Sequence, residues 1–228
     1  MKVSIFGAIL LFYSSIGALW AESPKAVVIK KETPTFILDI KYPQGFADKS
    51  VNEAVKALIE AKQKENPVST DNDSLPADLP GKNSLYINYK TAFQNKNALS
   101  LEFLISTYKR GAAHPNNTIA SLNFVKGKAV TLEQLFKPNS NYLTKIADFS
   151  RAAITKKKIS DTNWIVTGTK PTPENYANWH FTPGGLAIVF DTYQVSAYVY
   201  GPQTVKIPKA NLINLLRPEV IKAVWGKE

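Results

Sequence analysis

The sequence predicts an α+β protein: antiparallel sheets with packed helices, arranged as two sequential halves that form one compact unit. Three observations carry this expectation. Strand-period alternation recurs in runs of about ten residues, and helical-period stretches stand between blocks of strands rather than alternating with them one for one. Cysteine is absent from all 228 residues, so stability has to come from an apolar core, and 44% of the chain is hydrophobic. The order reads sheet–helix–sheet and then helix–sheet–helix, with the join near residue 128. That places an N-terminal half at 22–128 and a C-terminal half at 129–228.

Residues 1–21 are set aside as an expected signal peptide. Lys2 supplies a short positive region, "VSIFGAILLFYSSIGAL" is apolar, and Ala21 is the small residue a signal peptidase requires. No Cys follows the run, which argues against lipid attachment. Nothing beyond it has the length of a membrane span, so the expected location is exported, periplasmic or secreted.

"AVVIKKETPTFILDIKYPQ" predicts two strands, with Phe36, Leu38 and Ile40 on one face. "DKSVNEAVKALIEAKQKEN" switches to helical period. Val51, Ala54, Val55, Leu58 and Ile59 form its apolar stripe, Ser50 stands as a cap, and Pro67 lies past the end. "PVSTDNDSLPADLPGKN" is a long Pro/Asp/Asn/Ser loop. Three strands follow, "SLYINYKTAF", "ALSLEFLISTY" and "TIASLNFVKGK", with Leu99, Leu101, Phe103 and Ile105 sharing a face. In the second half, Thr131 and Gln134 have capping-box spacing. "NSNYLTKIADFSRAAITKKK" is an amphipathic helix, and Pro173 starts a short helical turn. "GLAIVF" is apolar on both faces and so an interior strand. "QTVKIP" turns Val205 and Ile207 inward, and short helical pieces surround Pro218.

The net charge is +10, one less without Lys2. For an exported chain that favours anionic envelope polymers, acidic headgroups or an acidic protein as partners, and not nucleic acid; plain solubility charge explains it equally well.

Candidate chemistry is sparse. The only histidines are His114 and His180, and neither HxH nor HxxxH spacing supports a zinc site with Asp191. His114, in a turn before Pro115, is read as satisfying backbone groups there. No Gly-x-Ser-x-Gly elbow and no phosphate-cradling loop is present. Glu102 and Asp191 are the best carboxylate pair, because each lies in an apolar strand, but Glu102 falls on the polar face. No catalytic residue, metal or cofactor is therefore expected. The aromatic inventory is more informative. Tyr108, His114 and Asn116 border one turn, and Trp179, Tyr193, Tyr198 and Tyr200 cluster around another. If the two meet, they form a groove able to stack on sugars or anchor a protein; otherwise the tyrosines pack the rim of the core.

"STYKRGAAHPNNTIASLNF" and, some seventy residues on, "FTPGGLAIVFD", a Tyr-Gln-Val corner and "GPQTVKIP" resemble a bacterial extracytoplasmic domain family of unknown function. Its members occur alone, in lysozyme-sensing anti-sigma factors, and ahead of the catalytic domain of some peptidoglycan deacetylases. Ala112 stands where a second glycine is common. The net charge and the aromatic cluster point to a non-enzymatic protein that binds a cell-envelope glycan such as peptidoglycan. The resemblance implies two alternatives: a lysozyme-binding inhibitor or sensor, for which Asp71, Asp73 and Asp78 form the one local acidic patch, and an accessory to an envelope hydrolase or deacetylase. No following enzyme domain or transmembrane helix is expected, which weakens the signalling role.

Overall fold

The computed structural model describes residues 24–67 and 81–226. The expected signal segment and most of the long acidic loop lie outside them. None of the described helices is long and apolar enough to cross a membrane.

The first half is a six-stranded sheet in spatial order β1 to β6, with strands at Lys25–Glu32, Phe36–Gln44, Asn83–Gln94, Ala98–Tyr108, Asn116–Val125 and Lys128–Ala129. Helix α1, Lys49–Glu65, lies between β2 and β3. All pairings are antiparallel except β2 with β3, which run parallel with α1 as the crossover. The expectation of uniform antiparallel pairing is corrected at that one step, because a helix long enough to span the sheet lets the next strand restart at the same end. Val51, Val55 and Ile59 of α1 are buried against Leu38, Ile40, Leu85, Leu101, Phe103 and Ile105. The start of α1 also differs from expectation. Asp48 occupies the cap position without a side-chain bond, while the Ser50 hydroxyl donates to the Gly127 carbonyl. Asn52 instead ties the incoming chain, its Oδ1 accepting from Gly45 and Phe46.

The second half joins α2 (Tyr142–Lys157), α3 (Thr162–Gly168) and α4 (Pro218–Trp225) to a sheet of β7 (Trp179–Thr182), β8 (Gly185–Phe190) and β9 (Gln203–Pro208). Every residue of the central strand β8 is buried, as a strand apolar on both faces requires. Ile146 and Ile154 of α2 complete this core with Phe136, Phe181, Ile188 and Leu216. The expected capping pair is half formed: Gln134 Oε1 accepts from the Thr131 amide. Helix α3 was not anticipated; Asp161 caps it by accepting from the Trp164 amide. The "SAYVY" segment ends in a 3-10 turn at Tyr198–Tyr200.

The two halves meet where β7 crosses the face of β3, β4 and β5 that α1 leaves uncovered. β7 pairs only with β8, so the Trp179 carbonyl and the Phe181 amide lie on a free edge. The large sheet supplies their partners. Ser100 Oγ accepts from the Phe181 amide at 3.0 Å and donates to Asn123 Oδ1 at 2.6 Å, and Asn123 Nδ2 donates to the Trp179 carbonyl at 2.8 Å. Ser100 and Asn123 are neighbours across the β4–β5 ladder, on one face. Asn123→Ala strands the Trp179 carbonyl and the Ser100 hydroxyl in a dry interior. We expect a loss of about 2–4 kcal/mol, read as a lowered urea midpoint at unchanged slope; an unchanged midpoint would show that this seam does not stabilise the fold.

Candidate functional site

The Tyr-Gln-Val corner is built by side chains bonding to backbone. Gln194 Oε1 accepts from the Asp191 amide at 3.0 Å, and its Nε2 donates to the carbonyls of Gly168 and Asn175. Gly168 is required at the end of α3, since a Cβ there would sit 2.0 Å from the Gln194 carbonyl oxygen. Between these anchors Tyr193 takes φ +68°, the left-handed region that a bulky side chain rarely adopts. Its carbonyl accepts from the Trp164 indole at 2.8 Å.

The Gly-Ala-Ala-His turn reaches this corner from the other half. His114 Nδ1 lies 2.9 Å from the Pro115 carbonyl, so that nitrogen donates. Nε2, 3.1 Å from the Tyr193 hydroxyl, then accepts in the neutral ring. The imidazole stacks on Tyr198 at 3.8 Å between centroids and 20° between planes, and the Tyr198 hydroxyl accepts from Asn117. Tyr193 and Tyr198 stand 5.6 Å apart. The result is an aromatic ridge made by both halves, with His114 and Tyr193 exposed, Tyr198 half-buried against them, and the half-buried Trp164 tied to it by its indole bond. Tyr200 (48% exposed) and Val199 (82%) follow at its end.

Of the residues singled out from the sequence, His114, Tyr193 and Tyr198 are brought together, and Tyr200 lies next along the chain. Tyr108 is half-buried and faces Gly81, outside the ridge. Asn116 is exposed at the start of β5, opposite Thr107. Trp179 is corrected outright: it is a core residue, 3% exposed and packed edge-to-face on Phe181, because its strand is covered on both sides. Asp71, Asp73 and Asp78 lie outside the described residues. Trp164 was missed; the Asp161-x-x-Trp164 cap spacing was the available signal for its helix.

The acids are likewise engaged. Glu102 does not face solvent, because β7 covers the end of the sheet face that carries it. Its carboxylate meets Lys90 Nζ at 2.7 Å and His180 Nδ1 at 3.3 Å, the latter an ion-pair distance without hydrogen-bond alignment. Burial pushes the Glu102 carboxyl up, but contacts with His180 and Lys90 together outweigh it and hold it below its ordinary value. Asp191 goes the other way: burial raises it, against the Ile119 amide that donates to Oδ1 at 2.6 Å and the more distant Lys62. Among the described residues no three His, Asp or Glu side chains gather so as to hold a metal ion.

Comparison with known proteins accords with this architecture. Residues 29–117 match the family model described as "Deacetylase PdaC", and residues 133–210 match DUF3298, a family described as of unknown function. The resemblance carried by the Gly-Ala-Ala-His turn and the GPQTVKIP strand is thus borne out. The chain is 27% identical over 198 residues to the peptidoglycan-N-acetylmuramic acid deacetylase PdaC of Bacillus subtilis (strain 168), covering 85% of this chain and 42% of that protein. It therefore spans less than half of that relative's length. Two crystal structures share the fold at 16% identity, both of DUF3298 family proteins. The one from Pseudomonas aeruginosa PAO1 gives a TM-score of 0.64, covering 87% of this chain and 94% of its own. The one from Bacteroides fragilis NCTC 9343 gives 0.63, covering 90% and 98%.

The two carboxylates predict opposite responses to acid. Glu102, lowered from 4.5, contributes stability that is fully present above that value and is lost as pH falls through its folded pKa. Asp191, raised from 3.8, costs stability when ionised and is relieved as pH falls through its own folded pKa. Urea unfolding should show a flatter acid limb for Glu102→Gln than for the parent. Asp191→Asn should have an advantage at neutral pH that shrinks toward pH 4. Parallel curves for all three proteins would refute the assignment.

Proposed function

We propose that this chain, which joins a segment matched by the PdaC model to a DUF3298 segment, is an exported, non-catalytic module of the cell envelope. On this reading it holds a peptidoglycan-type glycan against the Trp164–Tyr193–His114–Tyr198 ridge. The observation that carries the proposal is Tyr193. A bulky residue at positive φ costs of order 1–3 kcal/mol, and here the Trp164 indole donates to the Tyr193 carbonyl and the Tyr193 hydroxyl meets His114 Nε2 while the residue stays 45% exposed. A tyrosine that merely packed the rim would need neither the strain nor the exposure. Ring faces of this kind stack on the apolar faces of sugars, and the surplus of lysine and arginine suits a glycan bearing carboxylates. The named activity of the Bacillus relative points to the same polymer. Glu102 is engaged by Lys90 and Asp191 by the Ile119 amide within the fold.

The test is co-sedimentation with insoluble peptidoglycan. Tyr193→Ala and Tyr198→Ala should each weaken retention roughly three- to tenfold, and retention should fall as salt rises. Retention unchanged in the double variant would overturn the ridge as the site. Retention on immobilised lysozyme with none on peptidoglycan would replace the glycan by a protein partner and direct substitution to Asp71, Asp73 and Asp78.

A further inference from the structure

The second half covers only one end of the large sheet's outer face. β7 lies over the row that carries Phe93, Ser100 and Asn123, and its His180 reaches Glu102 in the next. The two rows beyond, Asn88–Leu104–Ile119 and Tyr86–Ser106–Asn117, cross β3, β4 and β5 on the same face. In them Leu104 stays 45% exposed and Tyr86 41%. These two are diagonal neighbours on adjacent strands, a relation in which large side chains still meet.

This open face runs into the ridge. Asn117 ends the row of Tyr86 and donates to the Tyr198 hydroxyl at 3.1 Å, so Tyr198 borders both surfaces. Two strand spacings, roughly 10 Å, separate the Tyr86 and Asn117 backbones, more than a single sugar ring spans. Between and beside the apolar groups stand the Ser106 hydroxyl and the exposed Asn88 amide. Ring faces alternating with hydroxyl and amide groups match a carbohydrate, which presents apolar faces and hydroxyls in turn; a protein-docking patch has a larger unbroken apolar centre. The charge also fits. Lys30 and Lys90 each meet a carboxylate, Asp39 and Glu102, and the exposed Lys41 adds a further positive charge on this face.

We infer that the glycan strand assigned to the ridge continues onto this face, with Tyr86 and Leu104 as a second stacking position and Lys41 beside it for a carboxylate of the strand. The inference rests on the ridge reading and makes the ligand a strand of several sugars, not a single unit.

The experiment is an amide NMR titration of the purified protein with two peptide-free probes: the N-acetylglucosamine–N-acetylmuramic acid disaccharide and an octasaccharide of the same repeat. Both should shift the signals of Tyr193 and Tyr198. Only the octasaccharide should also shift Tyr86, Leu104 and Ser106, and it should bind at least roughly tenfold tighter. Tyr86→Ala should lower octasaccharide affinity roughly three- to tenfold and leave that of the disaccharide as in the parent, while Tyr86→Phe, which keeps the ring face, retains both. Octasaccharide shifts confined to the ridge, or unchanged octasaccharide affinity in Tyr86→Ala, would overturn the inference and leave the ridge reading standing. No shift at Tyr193 and Tyr198 with either probe would overturn the ridge reading and the inference with it. A dimer in sedimentation velocity that Tyr86→Ala dissolves would also overturn the inference, by seating a second copy of the chain on this face.

Discussion

The structure depends on how the free edge of one four-residue strand is satisfied. An edge strand presents backbone donors and acceptors that must find water or a partner, and β7 lies where water is excluded. Ser100 and Asn123 meet that need from the middle of the large sheet. In doing so they set the position and angle at which the second half lies on the first. The covering of Glu102, the burial of Trp179 and the meeting of the His114 turn with the Tyr193 corner all follow from that placement. A sheet that met β7 with apolar side chains would leave the Phe181 amide unpaired, and a polar pair in any other row would shift the ridge apart.

Beside this neutral seam runs a charged one. Lys90, Glu102 and His180 bring strands of both halves together, with Glu102 and His180 mostly covered and the Lys90 side chain 63% exposed. Such arrangements contribute little net energy when complete, but removing one partner strands a charge out of water. The alignment of the halves is carried by the Ser100–Asn123 pair.

Most of the fold was legible in the sequence because period alone decides which face of an element is apolar. Leu99, Leu101, Phe103 and Ile105 share the buried face as their alternation requires, and Val205 and Ile207 turn inward. Period does not say what covers the opposite face. Glu102 occupies a polar row of its strand and is nonetheless enclosed, since its cover arrives from some eighty residues away. Trp179 was misplaced for the same reason. The cap of α1 escaped because Ser50 has a long-range partner, Gly127, that outcompetes the local one. Helix α3 is only seven residues long, too short for an apolar stripe to show. The meeting of His114 with Tyr193 and Tyr198 could be posed from the sequence as a condition, and only the tertiary placement of β7 fulfils it.

The ridge also has a consequence for how such proteins diversify. His114 lies within the segment matched by one family model, and Tyr193 and Tyr198 lie within the segment matched by the other. Neither segment alone displays the stacked pair of His114 and Tyr198, so a chain that kept one segment and lost its neighbour would lack it. The stacked pair is thus a property of the joined segments, and a substitution in the Gly-Ala-Ala-His turn is felt at a corner 79 residues away in the chain.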